Sequence, residues 1–315
     1  MGVLELLGLR SRKTSSRGGV SASDDDLFND EFQRKLEYLA VVSRRVFSGA
    51  MRAERRTKKT GSGIEFADHR DYAPGDDIRY LDWHAFQKFD RLLIRLYEEE
   101  EDLAIYFIID TSASMGFGEG EKLRQAKRLC AALAYVGLAN LDRIAIVAAT
   151  DEISGRMPTT RGKARIFRIF RFLTGIRAEG ATDLGEAMKT FVAQHKRKGL
   201  AVLISDLYDP EGFERGINVL RFNRFEPYVI HVVDKRDAKP ELKGDVRVYD
   251  CETGTEREVT VTAKVLEKYQ QAYEAYLEEV QRYCTTRQVS YFRADVEASF
   301  DELILRVFRR GGFLR

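Results

Sequence analysis

The chain has 315 residues, of which 44% are hydrophobic, so it can form one large packed domain or a domain with an appended segment. Its 52 Lys and Arg residues nearly balance its 50 Asp and Glu residues, which argues against binding to nucleic acid or to an anionic membrane. No apolar run approaches the roughly 20 residues that span a bilayer. The three cysteines are too scattered for a disulfide framework or a metal-binding motif. These features predict a soluble, cytoplasmic protein.

The first hundred residues are expected to precede the main domain. Residues 1–26 are expected to be disordered, because residues 10–26 are polar and rich in glycine and serine. An N-terminal extension is expected over residues 27–100, beginning with a helix. The basic stretch Arg52–Lys59 is interpreted as a solvated, mobile link rather than a phosphate-binding patch, because no aromatic residues interleave with its charges. The apolar residues that predict the helix recur at steps of three and four: Phe28, Phe32, Leu36, Leu39, Val42 and Val46.

The segment Gly61–Phe86 combines a turn with a dense set of charges. Its letters "APGD" predict a type II turn with Pro74 and Gly75 at the central positions. We expect the segment to be mainly structural, with ion pairs around the turn and Trp83 packed beside them. The charged residues available for these pairs are Arg70, Asp71, Asp76, Asp77, Arg79 and Asp82.

Residues 101–315 are expected to form an α/β domain. The apolar runs "LAIYFIID", "GLAVLISD" and "EPYVIHVVD" predict buried strands, and helical patterns separate them. Such alternation is typical of a mostly parallel sheet covered by helices on both faces. The stretch "VRVYDCETGTEREVTV" interrupts it and predicts a small antiparallel hairpin insertion. A long helix from about Ala263 to Arg287 and a strand, "SYFRADV", are expected to close the domain.

Oxygen-bearing side chains lie at predicted strand ends and in one loop. Asp110, Ser112 and Ser114 alternate at the end of the first buried strand, Thr182 precedes a helix, and Asp206 ends another strand. The carboxyl ends of parallel strands meet in the binding crevice of an open sheet. Carboxylate and hydroxyl oxygens suit a hard divalent cation, Mg²⁺ first. The sequence therefore predicts a metal site here; the alternative is a turn that caps the next helix.

The three-part pattern "DTSAS", "ATD" and "SD" resembles the metal-ion-dependent adhesion site of von Willebrand A-type domains. The resemblance implies a von Willebrand A-like fold in which Ser112, Ser114 and Thr182 supply hydroxyl ligands. It also implies that Asp110 and Asp206 act directly or through water. The remaining metal position would be left for an acidic residue from a partner protein.

The motif "GSGIEFADHRDYAPGDDIRYLDWHAF", together with "RLYEEE" and "DCETGT", resembles domain-of-unknown-function family fifty-eight. Members are von Willebrand A-like proteins commonly encoded beside MoxR-type AAA ATPases, and this chain resembles the short type without a membrane hairpin. The resemblance implies a metal-dependent protein-interaction module rather than an enzyme. Its expected partners are a MoxR-type AAA ATPase, for which it would be an adaptor in assembly or maturation of protein complexes, and a client protein offering an acidic residue.

The alternative function is a metal-dependent phosphatase or other hydrolase using the same site. A haloacid-dehalogenase phosphatase needs a second carboxylate where this chain has Ser112, and a serine hydrolase needs a glycine that "DTSASMG" lacks. His231 falls within a predicted strand and is expected to be a core or sheet-face residue rather than a base. His195 ends a predicted helix, where a cation suits the helix dipole.

Overall fold

The computed structural model describes residues 9–11, 27–39, 56–61, 65–100, 104–117 and 120–310. The chain divides into two compact units. The large unit comprises Met1–Val41 with Leu103–Phe313, and the small unit comprises Val42–Asp102 with Leu314–Arg315. Residues 27–39 therefore belong to the large unit, which differs from their expected grouping with the extension. Within the described ranges, no helix has both the length and the apolar character needed to cross a membrane.

The elements are labelled in chain order. The strands are β1 (Leu9–Ser11), β2 (Arg56–Gly61), β3 (Glu65–Asp71), β4 (Leu93–Glu100), β5 (Ala104–Asp110), β6 (Arg143–Ala149), β7 (Ile153–Thr160), β8 (Leu200–Ser205), β9 (Glu226–Val233), β10 (Gly244–Asp250), β11 (Glu256–Val261) and β12 (Ser290–Asp295). The helices are α1 (residues 30–39), α2 (Trp83–Phe89), α3 (Glu121–Ala139), α4 (Ile166–Gly175), α5 (Leu184–Gln194), α6 (Phe213–Phe222), α7 (Lys235–Ala238), α8 (Ala263–Thr286) and α9 (Phe300–Arg310).

A six-stranded sheet in the order β12-β9-β8-β5-β6-β7 forms the centre of the large unit. All neighbouring pairs are parallel except β6 and β7. Every residue of β5 and β8 is buried, which explains their continuous apolar runs. The chain extends the sheet on one side of β5 with β6 and β7, and then returns to its other side with β8. The carboxyl ends of β5 and β8 therefore flank a topological switch point, where open α/β sheets bind ligands.

Helices cover both faces of this sheet, which confirms the expected α/β architecture. Side chains of α5, α6 and α8 share one apolar core with β5 and β8. On the other face, α3 packs so closely that a Cβ on Gly137 would lie 2.7 Å from Ile144 Cδ1. The predicted N-terminal helix joins the large unit through Phe28, which stacks on Phe170 at 4.5 Å, and Phe32, which packs against Phe300 at 5.0 Å.

Strand β7 was not predicted from the sequence. It pairs antiparallel with β6, and its register shifts between Ile144 and Ile146 and again between Ala148 and Ala149. Its sequence, "ISGRMPTT", mixes glycine, proline and polar residues and so lacks an apolar alternation. Arg156 and Pro158 on this strand are exposed.

The predicted hairpin insertion is confirmed as β10 and β11, which pair antiparallel from Gly244 opposite Val261 to Tyr249 opposite Glu256. The predicted long helix and final strand correspond to α8 and β12. Strand β1 pairs with β10 and lies within the segment that was expected to be disordered. The rest of residues 1–26 lies outside the described residues.

The small unit contains an antiparallel sheet in the order β2-β4-β3. Part of the basic stretch, Arg56–Lys59, lies in β2, so its interpretation as a mobile link is wrong for these residues. Residues 52–55 lie outside the described part of the chain. The turn agrees with the sequence: Gly75 has φ of +106°, and Asp76 N–H donates to the Ala73 carbonyl at 3.0 Å.

Ion pairs surround this turn, as expected. Arg70 pairs with Asp76 at 2.8 Å and Arg79 with Asp77 at 2.6 Å. Asp82 caps α2 by accepting from the backbone N–H groups of His84 and Ala85, and it also accepts from Arg95 at 3.0 Å and bonds His69 at 2.8 Å.

Trp83 was expected to pack beside the ion pairs, but its ring is exposed in the structure. Its side chain is 61% exposed. The short helix α2 buries Ala85, whereas Trp83, Phe86 and Phe89 lie on its exposed side. The expectation was wrong because the spacing of apolar residues in so short a helix does not reveal which side is buried.

Candidate functional site

The candidate site begins where β5 ends. Asp110 is the last residue of β5, and its Oδ1 accepts a hydrogen bond from the backbone N–H of Ser112 at 2.9 Å. This bond folds the following loop back over the strand end, and a single 3₁₀ turn, Ala113–Gly116, then carries Ser114. Asp206 directly follows β8, the neighbour of β5 in the sheet. The switch point of the sheet therefore brings these residues together.

Four of the five predicted site residues form one hydrogen-bonded cluster. The hydroxyl oxygens of Ser112 and Ser114 lie 3.0 Å apart, and Ser114 Oγ donates to Asp206 Oδ1 at 3.2 Å. Ser205 Oγ donates to Asp110 Oδ2 at 2.5 Å. None of the four predicted residues is more than 4% exposed. We call Asp110, Ser112, Ser114 and Asp206 the oxygen cluster.

Thr182 is held beside the loop that follows β5. Glu179 N–H donates to the Thr111 carbonyl at 2.8 Å, and Ala113 N–H donates to the Gly180 carbonyl at 2.9 Å. These backbone bonds tie the loop before α5 to the loop that carries the two serines. The Thr182 hydroxyl itself donates to Glu252 Oε1 at 2.8 Å. The structure therefore brings the fifth predicted residue to the site but gives it a carboxylate partner from the β10–β11 hairpin.

Lys122 is a site residue that sequence reasoning missed. Its ammonium group, which is 0% exposed, lies 2.7 Å from Asp206 Oδ2 and 3.0 Å from Asp237 Oδ2. It also lies 5.1 Å from the centre of the Tyr208 ring, within cation–π distance. Lys122 lies in the first turn of α3, and a lysine in a helix is usually expected to be exposed to solvent. It is inside because α3 is buried around most of its circumference.

Burial and like charge determine the electrostatics of the oxygen cluster. Burial, reinforced by the charge of Asp206, raises the pKa of Asp110 to about 7, although bonds from Ser205 and Ser112 oppose the shift. Burial also raises the pKa of Glu252, against the effect of its bonds from Thr182. The site therefore concentrates carboxyl groups whose negative charge is costly, and a cation bound there would lower that cost.

The spacing of the oxygens is compatible with Mg²⁺. Oxygens at about 2.1 Å from Mg²⁺ in an octahedron are about 3.0 Å apart along each edge. The separations of 3.0 Å from Ser112 to Ser114 and 3.2 Å from Ser114 to Asp206 are close to this value. Across the described ranges, no group of three or more His, Cys, Asp and Glu side chains is arranged to hold a metal. A metal site here would therefore depend on hydroxyl ligands.

The alternative in which these residues cap the next helix finds little support. Ser112 precedes the 3₁₀ turn but makes no side-chain capping bond to it, and the N-cap position of α3 is occupied by Gly120. His231 lies in the core, as expected, 3.0 Å from the Tyr291 hydroxyl, and burial lowers its pKa to about 4. His195 ends α5, as expected, with its Nδ1 2.8 Å from the Phe191 carbonyl.

Comparison with known proteins places these residues in a family. Residues 68–279, which include every residue of the oxygen cluster, Thr182 and Glu252, match the family described as "Protein of unknown function DUF58". The uncharacterized proteins Mb1516 of Mycobacterium bovis and Rv1480 of Mycobacterium tuberculosis are each 26% identical over 266 residues, which cover 82% of this chain and 82% of the relative. A crystal structure of the conserved hypothetical protein BatB from Bacteroides thetaiotaomicron covers 65% of this chain and 97% of its own, with 16% identity and a TM-score of 0.39. The chain therefore belongs to the DUF58 family, whose function is unknown.

Proposed function

We propose that this chain is a metal-dependent protein-interaction module. Asp110, Ser112, Ser114, Thr182 and Asp206 would hold Mg²⁺ at the carboxyl ends of β5 and β8, and the ion would bind an acidic residue of a partner protein. The observation that carries the proposal is the convergence of the oxygen cluster at the switch point of the sheet, with oxygen separations of 3.0 and 3.2 Å. When bound, Mg²⁺ would supply a positive centre that attracts a carboxylate.

Binding fits the site better than hydrolysis. Asp110 is the residue of the cluster whose raised pKa would suit a general base. Both of its oxygens already accept hydrogen bonds, from Ser112 and Ser205. A hydrolase would also need a second group that protonates the leaving group, and the residue two positions after Asp110, where a haloacid-dehalogenase phosphatase has that carboxylate, is Ser112. The phosphatase or hydrolase alternative therefore has no specific contact in its favour.

We further propose that the module is a cytoplasmic adaptor for a MoxR-type AAA ATPase in the assembly or maturation of protein complexes. This part of the proposal rests on the sequence motifs that resemble the family. The client protein would offer the acidic residue, and the ATPase would act on the client while the module holds it.

Affinity capture from the native cell tests the proposal. The tagged chain should retain the ATPase and a client in Mg²⁺ and lose them in excess chelator. Ser112→Ala should lose them even in Mg²⁺, whereas the control Thr159→Ala, which removes the hydroxyl of an exposed threonine of β7, should retain them. Equal capture by all three proteins with and without chelator would contradict a metal-dependent interaction. Turnover of a generic phosphate ester that Asp110→Ala abolishes would favour the hydrolase instead.

A further inference from the structure

The tip of the β10–β11 hairpin places a carboxylate against Thr182. Glu252 Oε2 accepts from the Thr182 backbone N–H at 3.0 Å, and Oε1 accepts from the Thr182 hydroxyl at 2.8 Å. Both oxygens of one carboxylate are thus bound by the two donors of one residue. Thr182 is 5% exposed and Glu252 is half-buried, so water competes little for these bonds. This geometry is a two-point carboxylate-binding site.

The hairpin turn is built to present Glu252 in this position. Asp250 Oδ1 accepts from the Glu252 backbone N–H at 2.9 Å, and Asp250 Oδ2 accepts from the Thr253 hydroxyl at 2.8 Å. Gly254 N–H donates to the Asp250 carbonyl at 3.0 Å, with φ of +69°, a conformation that suits glycine. The turn therefore fixes the backbone of Glu252 before its side chain meets Thr182.

The first turn of α5, which follows Thr182 in the chain, also binds carboxylates. Leu184 N–H donates to Asp209 Oδ2 at 2.9 Å, and Glu186 N–H donates to Asp183 Oδ1 at 2.9 Å. The positive end of the helix dipole adds to these bonds. The charge of Asp206 acts against Glu252, so the hairpin carboxylate is attracted by its donors and repelled by the oxygen cluster. Because this repulsion weakens the binding of Glu252 to Thr182, another carboxylate can replace Glu252 there.

We propose that the N–H and O–H of Thr182 form a carboxylate-binding site that Glu252 occupies as an internal ligand until an acidic residue of a partner protein displaces it. The inference rests on the proposed function, since the incoming carboxylate is the partner's acidic residue. An internal ligand competes at an effective concentration on the order of millimolar. The hairpin therefore weakens the binding of any acidic partner, and removing the Glu252 carboxylate strengthens it.

A titration with acetate, a small carboxylate, tests the site in the full ¹⁵N-labelled chain. In Glu252→Ala, acetate should shift the Thr182 amide resonance and saturate in the millimolar range, because it fills the place of the lost carboxylate. Wild type and the control Glu258→Ala, a 78% exposed carboxylate of the same hairpin, should require at least about tenfold more acetate. Adding Thr182→Val to Glu252→Ala should abolish the response. Glu252→Gln, which keeps the side-chain shape, provides a second variant if Glu252→Ala does not fold.

The outcomes separate this inference from the proposed function. If Mg²⁺ strengthens acetate binding to Glu252→Ala, both are supported. If acetate binds equally well with Mg²⁺ or chelator, the carboxylate site is supported and the metal site is contradicted. If the Thr182 amide responds equally in wild type and in both Glu252 variants, or responds in none of them, then Glu252 is not an internal ligand of Thr182. This conclusion would hold even if Mg²⁺ stabilises the wild type.

Discussion

Ion pairs lie both beside the oxygen cluster and in the small unit, but one is buried and the other is exposed. Around the cluster, Lys122 and Asp206 pair with side chains 0% and 1% exposed. In the small unit, Arg91 and Asp71 pair with side chains 64% and 67% exposed. Exposed pairs contribute little to stability because water and salt screen them, whereas breaking a buried pair leaves an isolated charge in the interior. Burial, not the count of charges, identifies the pairs that matter.

The largest expected effect is at Lys122. Lys122→Met should lower the free energy of unfolding of the large unit by about 3–5 kcal/mol, because Asp206 and Asp237 lose a buried cation. Far-UV circular dichroism during urea unfolding measures this. The control Arg91→Met should leave the midpoint in place. The chain has one tryptophan, Trp83 in the small unit, so its fluorescence reports whether that unit is unaffected. Equal unfolding midpoints for Lys122→Met and Arg91→Met would show that the buried and the exposed ion pair contribute equally to stability.

The next effect is that of Mg²⁺ on the large unit. At a hundredfold excess over its dissociation constant, Mg²⁺ should add about 2.7 kcal/mol to the free energy of unfolding. The melting temperature by circular dichroism should then rise by about 5–10 °C. Asp110→Ala should abolish the rise, because it removes one of the two like charges that the ion would neutralise. Identical wild-type melts in Mg²⁺ and in chelator would contradict a metal site.

A smaller effect is expected at Asp82, the most connected carboxylate described in the small unit. Bonds from Arg95, then His69 and Ala85, hold the pKa of Asp82 well below its usual range. A depressed pKa stabilises the folded state above the unfolded pKa of about 4, and this contribution is lost as the pH falls below it. The small unit should therefore lose stability in acid. Asp82→Asn should already be less stable at pH 7 and should depend less on pH.

Amide hydrogen exchange in α2 measures the Asp82 prediction directly. Protection should fall in wild type below about pH 4 once the intrinsic pH dependence of exchange is corrected. The control Asp77→Asn affects a carboxylate that pairs with Arg79, a residue whose side chain is 81% exposed, and should leave α2 protection at neutral pH close to wild type. A wild type and an Asp82→Asn variant with the same pH profile would show that this charge contributes little.

The smallest effect is expected at Trp83. Since its side chain is 61% exposed, Trp83→Ala should change the free energy of unfolding of the small unit by less than about 0.5 kcal/mol. Hydrogen exchange in β4 is the measurement, because the variant lacks the fluorescent reporter. A loss of several kcal/mol would show that the ring is buried after all.

The sequence allowed prediction of the parts of the site that lie next to apolar strands. A buried parallel strand leaves a continuous apolar run, so the positions of Asp110 and Asp206 at strand ends could be recognised from local letters. Ser112 and Ser114 follow from their spacing relative to Asp110. The hairpin could also be predicted, because turn residues and alternation are local signals.

The sequence could not reveal contacts between distant elements. Glu252 lies 70 residues from Thr182 in the sequence. Nothing in the hairpin sequence distinguishes it from the other carboxylates there. Lys122 lies 84 residues from Asp206 in the sequence, so their pairing leaves no local signal. Trp83 and β7 were missed for the related reason that the orientation of a short helix and the pairing of an edge strand are set by tertiary packing.

Strand β7 also determines how the sheet avoids self-association. An edge strand offers unpaired backbone groups to a strand from another copy, which is a route to aggregation. Pro158 has no N–H to donate, and Arg156 is an exposed charge that an incoming strand would have to accommodate. The two register shifts against β6 distort the edge further. The irregular sequence that concealed β7 is therefore a protective feature: replacing it with a regular apolar alternation should produce a chain that precipitates on concentration.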